Sequence, residues 1–543
     1  MNVTKQIALW VALVGGLIAA LYGQFLYNPI VFDDLYFFML DSEGRSAIEA
    51  FASPSVGDLR ALPYATLAWT AQWFGFGLLP FRIENMLLHW MVVVALALFV
   101  VRLYRSALPS VESDGERTGL VAAILISVTL FALHPLAVYA TGYLVQRTIV
   151  MATLFSVLAL WAYLHAGNGH GKVWLWVSVL LYFMATHSKE HVIMLPAVVV
   201  ALTVLLHENW RRYLRENWPV FLGYVLVALL TIAQIRGVIG HTYELSASEM
   251  LEGVLPENAY GYSVLTQSWL FFKYGLLWVL PHPGWMSVDM REPYAQGFLS
   301  AYGAALLAYL LYGFAALLLL LKRGRAGLIG FAMLLPWLMF MTEFSSVRIQ
   351  EIFVLYRSYI WALGGVIVLP LLLMQLNARL MIGLSLLFAA TLFMISMERL
   401  SSFSHPILLW DDAEKLVKDR QTLPGAARIY YNRGTEWLKV DKYDSAISDL
   451  QTATRLNPKF SEAYGNLGAS YLKLNQNEQA AQAFSRAILL VQEQKVQPNF
   501  KHYLGRARAY EADGKWREAA TDYSVTCLLA KQGCDKTSLP SGR

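Results

Sequence analysis

Apolar runs of about twenty residues recur through the first three quarters of this 543-residue chain, and they constrain its fold more than any other feature. They fall near 7–27, 84–104, 119–134, 147–165, 173–187, 191–206, 219–236, 298–321, 327–342, 355–376 and 379–397. A helix of about 20 apolar residues crosses the bilayer's hydrocarbon core. In lipid every backbone N–H and C=O must be paired within the protein, so such runs are read as helices. Two further stretches, 61–80 and 263–280, contain Gln, Trp and Tyr and are open between crossing, re-entrant and interfacial readings. Composition agrees: 57% of residues are hydrophobic and only 15% charged, against roughly 25% charged in a soluble domain. Disorder, collagen and a disulfide scaffold are excluded, since two Cys cannot staple a chain of this size. The net charge of +5 is too small and too dispersed to argue for nucleic acid.

Charge is segregated. Residues 398–543 hold 21 Lys+Arg and 17 Asp+Glu. The expected organisation is all-α: a polytopic membrane domain of about 11 spans over 1–397, a linker helix over 398–425 and a helical-repeat domain over 426–543. Lys and Arg in short loops set orientation. Arg102, Arg105, Lys172, Arg211, Arg212, Arg215, Lys322, Arg323, Arg325 and Arg379 all fall on one side if the N-terminus is cytoplasmic. An odd number of crossings then places residues 398–543 outside. A full crossing by 263–280 would put Lys322–Arg325 outside, so a non-crossing reading is preferred. No small-residue cleavage site follows the first apolar run, which therefore reads as a span rather than a signal peptide.

The C-terminal part repeats. Tyr430, Gly434, Trp437, Ala446 and Leu450 recur 34 residues later as Tyr464, Gly468, Tyr471, Ala480 and Phe484. After a five-residue insertion they recur again as Tyr503, Ala507, Tyr510, Ala519 and Tyr523. Small residues let two helices pack closely and aromatics fill the seam, which is the tetratricopeptide (TPR) pattern. Three repeats are expected at 427–460, 461–494 and 500–533. Such stacks offer a concave groove for extended peptides, with Tyr430, Asn432, Asn466 and Tyr471 as its candidate lining. Cys527 and Cys534 would lie about 10 Å apart on one continuous helix, too far for a disulfide. Gly533 can end that helix, so a bridge and two free thiols both stay open.

Ionisable residues at span ends carry the candidate chemistry. The first external loop begins with Asp33 and Asp34, which suit a general base and its orienting neighbour, or a divalent cation (Mg or Mn) site. The same pair would also serve as a helix cap. Arg147, with Gln146 before it, stands at the outer end of the fourth run and can grip a phosphate bidentately; an interfacial snorkelling Arg is the alternative. His134 precedes a proline and reads as structural. His187-Ser188-Lys189-Glu190-His191 matches H-x-x-E-H formally, but it is a tight corner between spans and not a zinc helix. There Lys189 reads as a phosphate-binding ammonium held by Glu190, or as part of a solvated turn. Arg348, Glu351, Tyr356, Arg357 and Tyr359 form a further cluster, with Arg357 a second phosphate candidate and Glu351 its orienting carboxylate. Arg82, Glu84, Asn85 and His89 open the second span and face the bundle interior or anchor its boundary. No Gly-rich phosphate loop occurs, which argues against a nucleotide substrate.

Taken in order, FDDLYFF (32–38), FRIENMLLHW (81–90), LFALHPLAVYATGYLVQRTIVMATLF (130–155), HSKEHVIMLP (187–196), LTQSWLFFKY (265–274) and EFSSVRIQEIFVLYRSYIWALGG (343–365) resemble the transmembrane-and-TPR O-mannosyltransferases and their bacterial relatives, within the GT-C glycosyltransferases. The resemblance implies a polyprenyl-phosphate-linked sugar donor and a Ser or Thr hydroxyl acceptor on an exported protein bound by the TPR domain. Asp33 and Asp34 match the family's acidic pair, Gln146-Arg147 its [QG]-R segment, Ser188-Lys189-Glu190 its S-K-E corner, and Arg357 with Tyr359 its R-x-Y pair. Leu355-Tyr356 stand where relatives carry Glu-His, and three repeats are fewer than many relatives have. The reading this implies is an inverting transferase of a bacterial inner membrane, with site and TPR domain on the periplasmic side. A lipid or polysaccharide acceptor, or a non-catalytic TPR scaffold for secretion or pilus assembly, are the competing readings.

Overall fold

The computed structural model describes residues 3–40, 46–108, 114–167, 171–236, 258–349 and 351–537. The described residues are helical, with no strand; two isolated bridges, Leu40 with Ser46 and Met290 with Phe353, are the extended pairings among them. The chain forms two units, Met1–His405 and Pro406–Arg543.

In the first unit eight described helices are long and apolar enough to cross a membrane: Lys5–Phe25, Leu78–Ala107, Gly115–Ala132, Leu144–His165, Trp218–Ile235, Ala301–Leu321, Gly324–Phe344 and Ala378–Ser402. Val173–Thr186, Glu190–Leu206 and Leu363–Leu373 are shorter apolar helices. Together they sit on the eleven expected runs. The helices Leu78–Ala107 (α1) and Arg147–His165 (α2) are well enclosed, through Phe81, Leu96, Phe99, Leu154 and Leu160. By contrast Ala301–Leu321 turns Leu310, Leu311, Phe314 and Leu317 outward. In water that apolar surface would be costly; in a bilayer it is solvated by lipid. Polar side chains inside the unit cap neighbouring backbone. Tyr104 Oη donates to the Ile367 carbonyl at 2.7 Å and Ser127 Oγ to that of Val366 at 2.9 Å.

The two ambiguous stretches form helices. Ala61–Phe74 ends at Gly75, whose φ of 72° lies in the left-handed region that glycine enters freely. Ala259–Val279 is not among the helices apolar enough to cross. Its polar residues bind the segment before Leu363: Gln267 donates to the Ile352 carbonyl, Ser263 Oγ accepts from the Arg348 N–H, and Trp278 donates to Ser358 Oγ. That segment's unpaired backbone thus finds partners on this helix.

The expected boundary at 397 moves. The last apolar helix continues to Ser402 because Arg399 and Leu400 are buried in the first unit. Arg399 donates to the Met286 carbonyl, and the Leu400 carbonyl accepts from Asn28. The helix Pro406–Val417 belongs with the second unit.

That unit consists of helix pairs Ala426–Lys439 with Tyr443–Leu456, Ser461–Lys473 with Asn477–Glu493, and Phe500–Ala512 with Trp516–Ala530. Small residues work as expected. A Cβ on Gly468 would lie 3.0 Å from the Phe484 ring, and one on Gly505 only 2.2 Å from Phe484 Cζ, so one phenyl ring is wedged between two glycines of successive repeats. Cys527 and Cys534 form a disulfide, with Lys531 and Gly533 in the left-handed conformation turning the chain back.

Candidate active site

The first loop leaves its span with Phe32 at φ 52°, a costly conformation for a phenylalanine. It sets the two aspartates in different places. Asp34 is fully buried, and its carboxylate accepts the Val145 N–H at 2.8 Å and the Leu144 N–H at 3.3 Å. Burial, against those two bonds and the nearby Arg82 guanidinium, raises its pKa from 3.8 to about 7. Arg82 donates to the carbonyls of Asn28, Pro29 and Gly142. Asp34 and Arg82 therefore brace this loop against the segment before Arg147. Asp33, partly exposed, lines a cavity of about 740 Å³, and its backbone N–H donates to Tyr143 Oη at 2.7 Å. Two adjacent aspartates cannot be told apart by sequence; the fold makes Asp33 the accessible carboxylate.

Across the cavity stand Arg60, Lys189, Arg348 and Arg357, together with Glu190, His191, Glu351 and Tyr356. The expected pairing of Lys189 with Glu190 is corrected. Glu190 holds Arg60 in a two-pronged contact, 2.6 and 3.0 Å, and Lys189 donates instead to Gln146 Oε1 at 3.0 Å and Thr148 Oγ1 at 3.2 Å. Consecutive residues at a tight corner face different ways, so adjacency in sequence did not become contact. Arg357 is gripped by Glu343 at 2.9 Å and by Glu351, as expected for the latter. His191 lies between Glu190 (3.4 Å) and Glu343 (3.5 Å), and Arg348 lies 3.6 Å from Glu343. Arg60, Glu343 and His191 carried no assigned role in the sequence. Arg60 sits alone in a loop, Glu343 opens a motif stretch, and His191 enters the sequence reading only through the formal H-x-x-E-H match.

Other expected site residues lie elsewhere. Arg147 is buried away from the cavity and fully engaged, donating to Asn85 Oδ1 (2.7 Å), Thr66 Oγ1 and the Phe81 carbonyl, and paired with Glu84 at 2.8 Å. It ties α2 to α1 with four of its five N–H hydrogens, and it does not line the cavity. Gln146, its neighbour, does line the cavity. Tyr359 is buried against His89 Nδ1 at 2.6 Å. His134 caps the helix Pro135–Thr141 by accepting the Leu136 N–H, stacks on Trp278 at 4.2 Å, and lines a separate apolar groove of about 1060 Å³. Among the described residues no group of three His, Cys, Asp or Glu is placed to hold a metal ion, and both Asp34 oxygens take backbone N–H groups.

In the second unit Tyr430 is core, buried beside Arg433 and accepting from Gln421, and Tyr471 packs in the helix seam with its hydroxyl accepting from Gln451. Tyr430 lacks the exposure a groove residue needs, whereas Tyr471 is half-buried. Asn432 and Asn466 are half-buried, and Asn466 donates to Thr435 Oγ1 at 2.8 Å, linking the first helices of two repeats.

Comparison with known proteins bears on this unit. The tetratricopeptide repeat family model matches residues 438–497. Over 65 residues the chain is 28% identical to "Small glutamine-rich tetratricopeptide repeat-containing protein 2" of Mycosarcoma maydis, a stretch that covers 12% of this chain and 18% of that protein. The chain thus matches less than a fifth of that relative's length.

Proposed function

We propose that this chain is an integral-membrane glycosyltransferase that moves a sugar from a polyprenyl-phosphate donor to Ser or Thr hydroxyls of exported proteins, with the TPR unit binding the acceptor. One observation carries the reading: an accessible carboxylate, Asp33, shares a cavity with Lys189, Arg60, Arg348 and Arg357. A transfer of this kind needs a base for the acceptor hydroxyl and cations for the departing phosphate. Asp33 takes the hydroxyl proton, the oxygen attacks the anomeric carbon from the face opposite the phosphate, and configuration inverts. Apolar Ile193, Met194, Ile232 and Met341 on the same cavity would accept the start of the lipid chain. The TPR repeats supply a protein-recognition surface. In this reading the site and the TPR unit face the periplasm of a bacterial inner membrane, following the Lys/Arg bias of the loops. The Cys527–Cys534 bridge fits that placement, since disulfides persist in oxidising compartments.

The test is intact-protein mass spectrometry of exported proteins from cells carrying the wild type or Asp33→Asn, with membrane accumulation checked. Loss of a hexose- or pentose-sized mass from particular proteins is the expected result. Unchanged protein masses with altered lipid-linked glycans would move the acceptor to a lipid or polysaccharide. No change in either would leave a membrane-anchored TPR scaffold, the reading that the TPR match by itself also accommodates.

A further inference from the structure

Lys189 differs from the guanidinium groups beside it. Arg60, Arg348 and Arg357 each face a carboxylate at short range. The Lys189 ammonium, almost fully buried, gives its hydrogen bonds to two neutral oxygens, Gln146 Oε1 and Thr148 Oγ1, and lies 4.7 Å from the centre of the Tyr356 ring. An ammonium has three hydrogens, so one is left for an oxygen entering the cavity. The charged groups around it come from several segments: Arg60 before the helix Ala61–Phe74, Glu190 next in the chain, and Arg357 with Glu351 before Leu363. Burial first, then the Arg60 charge, lower its pKa from 10.5 to about 7, with Glu190 and Glu351 opposing. Guanidinium groups keep their protons at any pH a protein meets. Beside the guanidinium groups of Arg60, Arg236, Arg348 and Arg357 on this cavity, Lys189 is the Lys or Arg able to hand a proton over.

We propose that Lys189 is the general acid of the transfer, giving its proton to the phosphate oxygen that leaves the anomeric carbon. The inference rests on the glycosyltransferase reading and adds the proton donor to it. In one step the acceptor hydroxyl gives its proton to Asp33 and its oxygen forms the new bond to the anomeric carbon. The bond from that carbon to the phosphate oxygen breaks, its electron pair staying on the oxygen. An N–H bond of Lys189 breaks as its proton moves onto that oxygen. The lipid leaves as a singly protonated phosphate monoester, whose second pKa is about 6, close enough to a lysine titrating near neutrality for efficient transfer. Water then reprotonates the amine and takes the proton from Asp33.

The experiment uses the full chain in lipid nanodiscs with farnesyl phosphates bearing mannose, glucose, galactose or arabinose. Sugar transferred or released to water is followed by mass spectrometry from about pH 5 to about pH 9. The wild-type rate should fall above about pH 7. Lys189→Arg keeps the charge without the transferable proton: kcat should drop at least about 100-fold and lose its basic limb, while farnesyl phosphate still binds within about threefold. Thr148→Val removes a neutral acceptor of the ammonium and should move the basic limb to lower pH, which a purely structural role would not do. A wild-type rate or an unchanged basic limb in Lys189→Arg, or an unmoved limb in Thr148→Val, overturns the proposal. If the wild type handles none of these hexosyl and pentosyl donors while the chain is folded, the glycosyltransferase reading itself fails, and the general acid with it.

Discussion

Replacing Asp34 by Asn should change stability in a way that depends on pH. In the folded chain burial holds this carboxyl up at about 7, against 3.8 in the open. Between about pH 4 and about pH 7 the native state therefore keeps a proton that the unfolded chain releases. Stability is fully present below the unfolded pKa and falls as pH rises toward the folded one, by about 4 kcal/mol across the window, and is level beyond it. Asn does not titrate, so that slope disappears. It also turns an NH2 group toward one of the N–H donors of Leu144 and Val145, a loss of about 1–3 kcal/mol at every pH. The wild type should exceed Asp34→Asn by the widest margin near the acid end of the window, and the gap should close or reverse by about pH 7.5. Thermal unfolding of both proteins in one detergent across that range measures the difference, in which titrations common to both cancel. A gap that stays constant to within about 1 kcal/mol would refute the reasoning.

Three further outcomes are expected. Arg147→Met leaves Asn85 without its buried donor and Glu84, a third exposed, without its cation, and should cost about 1–3 kcal/mol; thermal unfolding should show the loss, and protein that survives should bind farnesyl phosphate as the wild type does. Gly505→Ala puts a methyl group 2.2 Å from Phe484 Cζ and should cost about 1–3 kcal/mol, seen by hydrogen exchange in the full chain as lost protection in Phe500–Ala512 and Asn477–Glu493 while the first unit is unchanged. Reducing the Cys527–Cys534 bridge should weaken the end of the last repeat by about 2 kcal/mol, with faster exchange confined to the residues after Trp516.

The parts of the fold carried by periodicity were legible in the sequence. The eleven apolar runs became helices at the expected places, and the 34-residue spacing became three helix pairs with Phe484 seated on glycine as the pattern required. The site was legible in its segments and not in its pairings. Lys189, Gln146, Arg357, Glu351 and Asp33 do meet at one cavity. Which cation meets which carboxylate depends on how loops approach one another over more than a hundred residues, as Arg60 and Glu190 do. Arg147 shows the same limit: one residue after a cavity-lining Gln, it points into α1, because a helix start turns successive side chains to different faces. Tyr430 falls in the core rather than a groove, because an aromatic at a repeat position fits a seam and a groove equally well until its neighbours are known.

The ions on the far wall of the cavity have a consequence for how a ligand would arrive. Arg60, Arg348 and Arg357 are matched by Glu190, Glu343 and Glu351. Each side of that lattice cancels the other, so little field from it extends beyond a few ångströms. A lipid phosphate would not be drawn in from afar, and capture should respond weakly to ionic strength. Encounter would instead be a two-dimensional search within the leaflet, set by lipid density and lateral diffusion, with the wall acting as a rigid mould once the headgroup is in place. Donor supply, and not salt, would then be the natural throttle on such a protein.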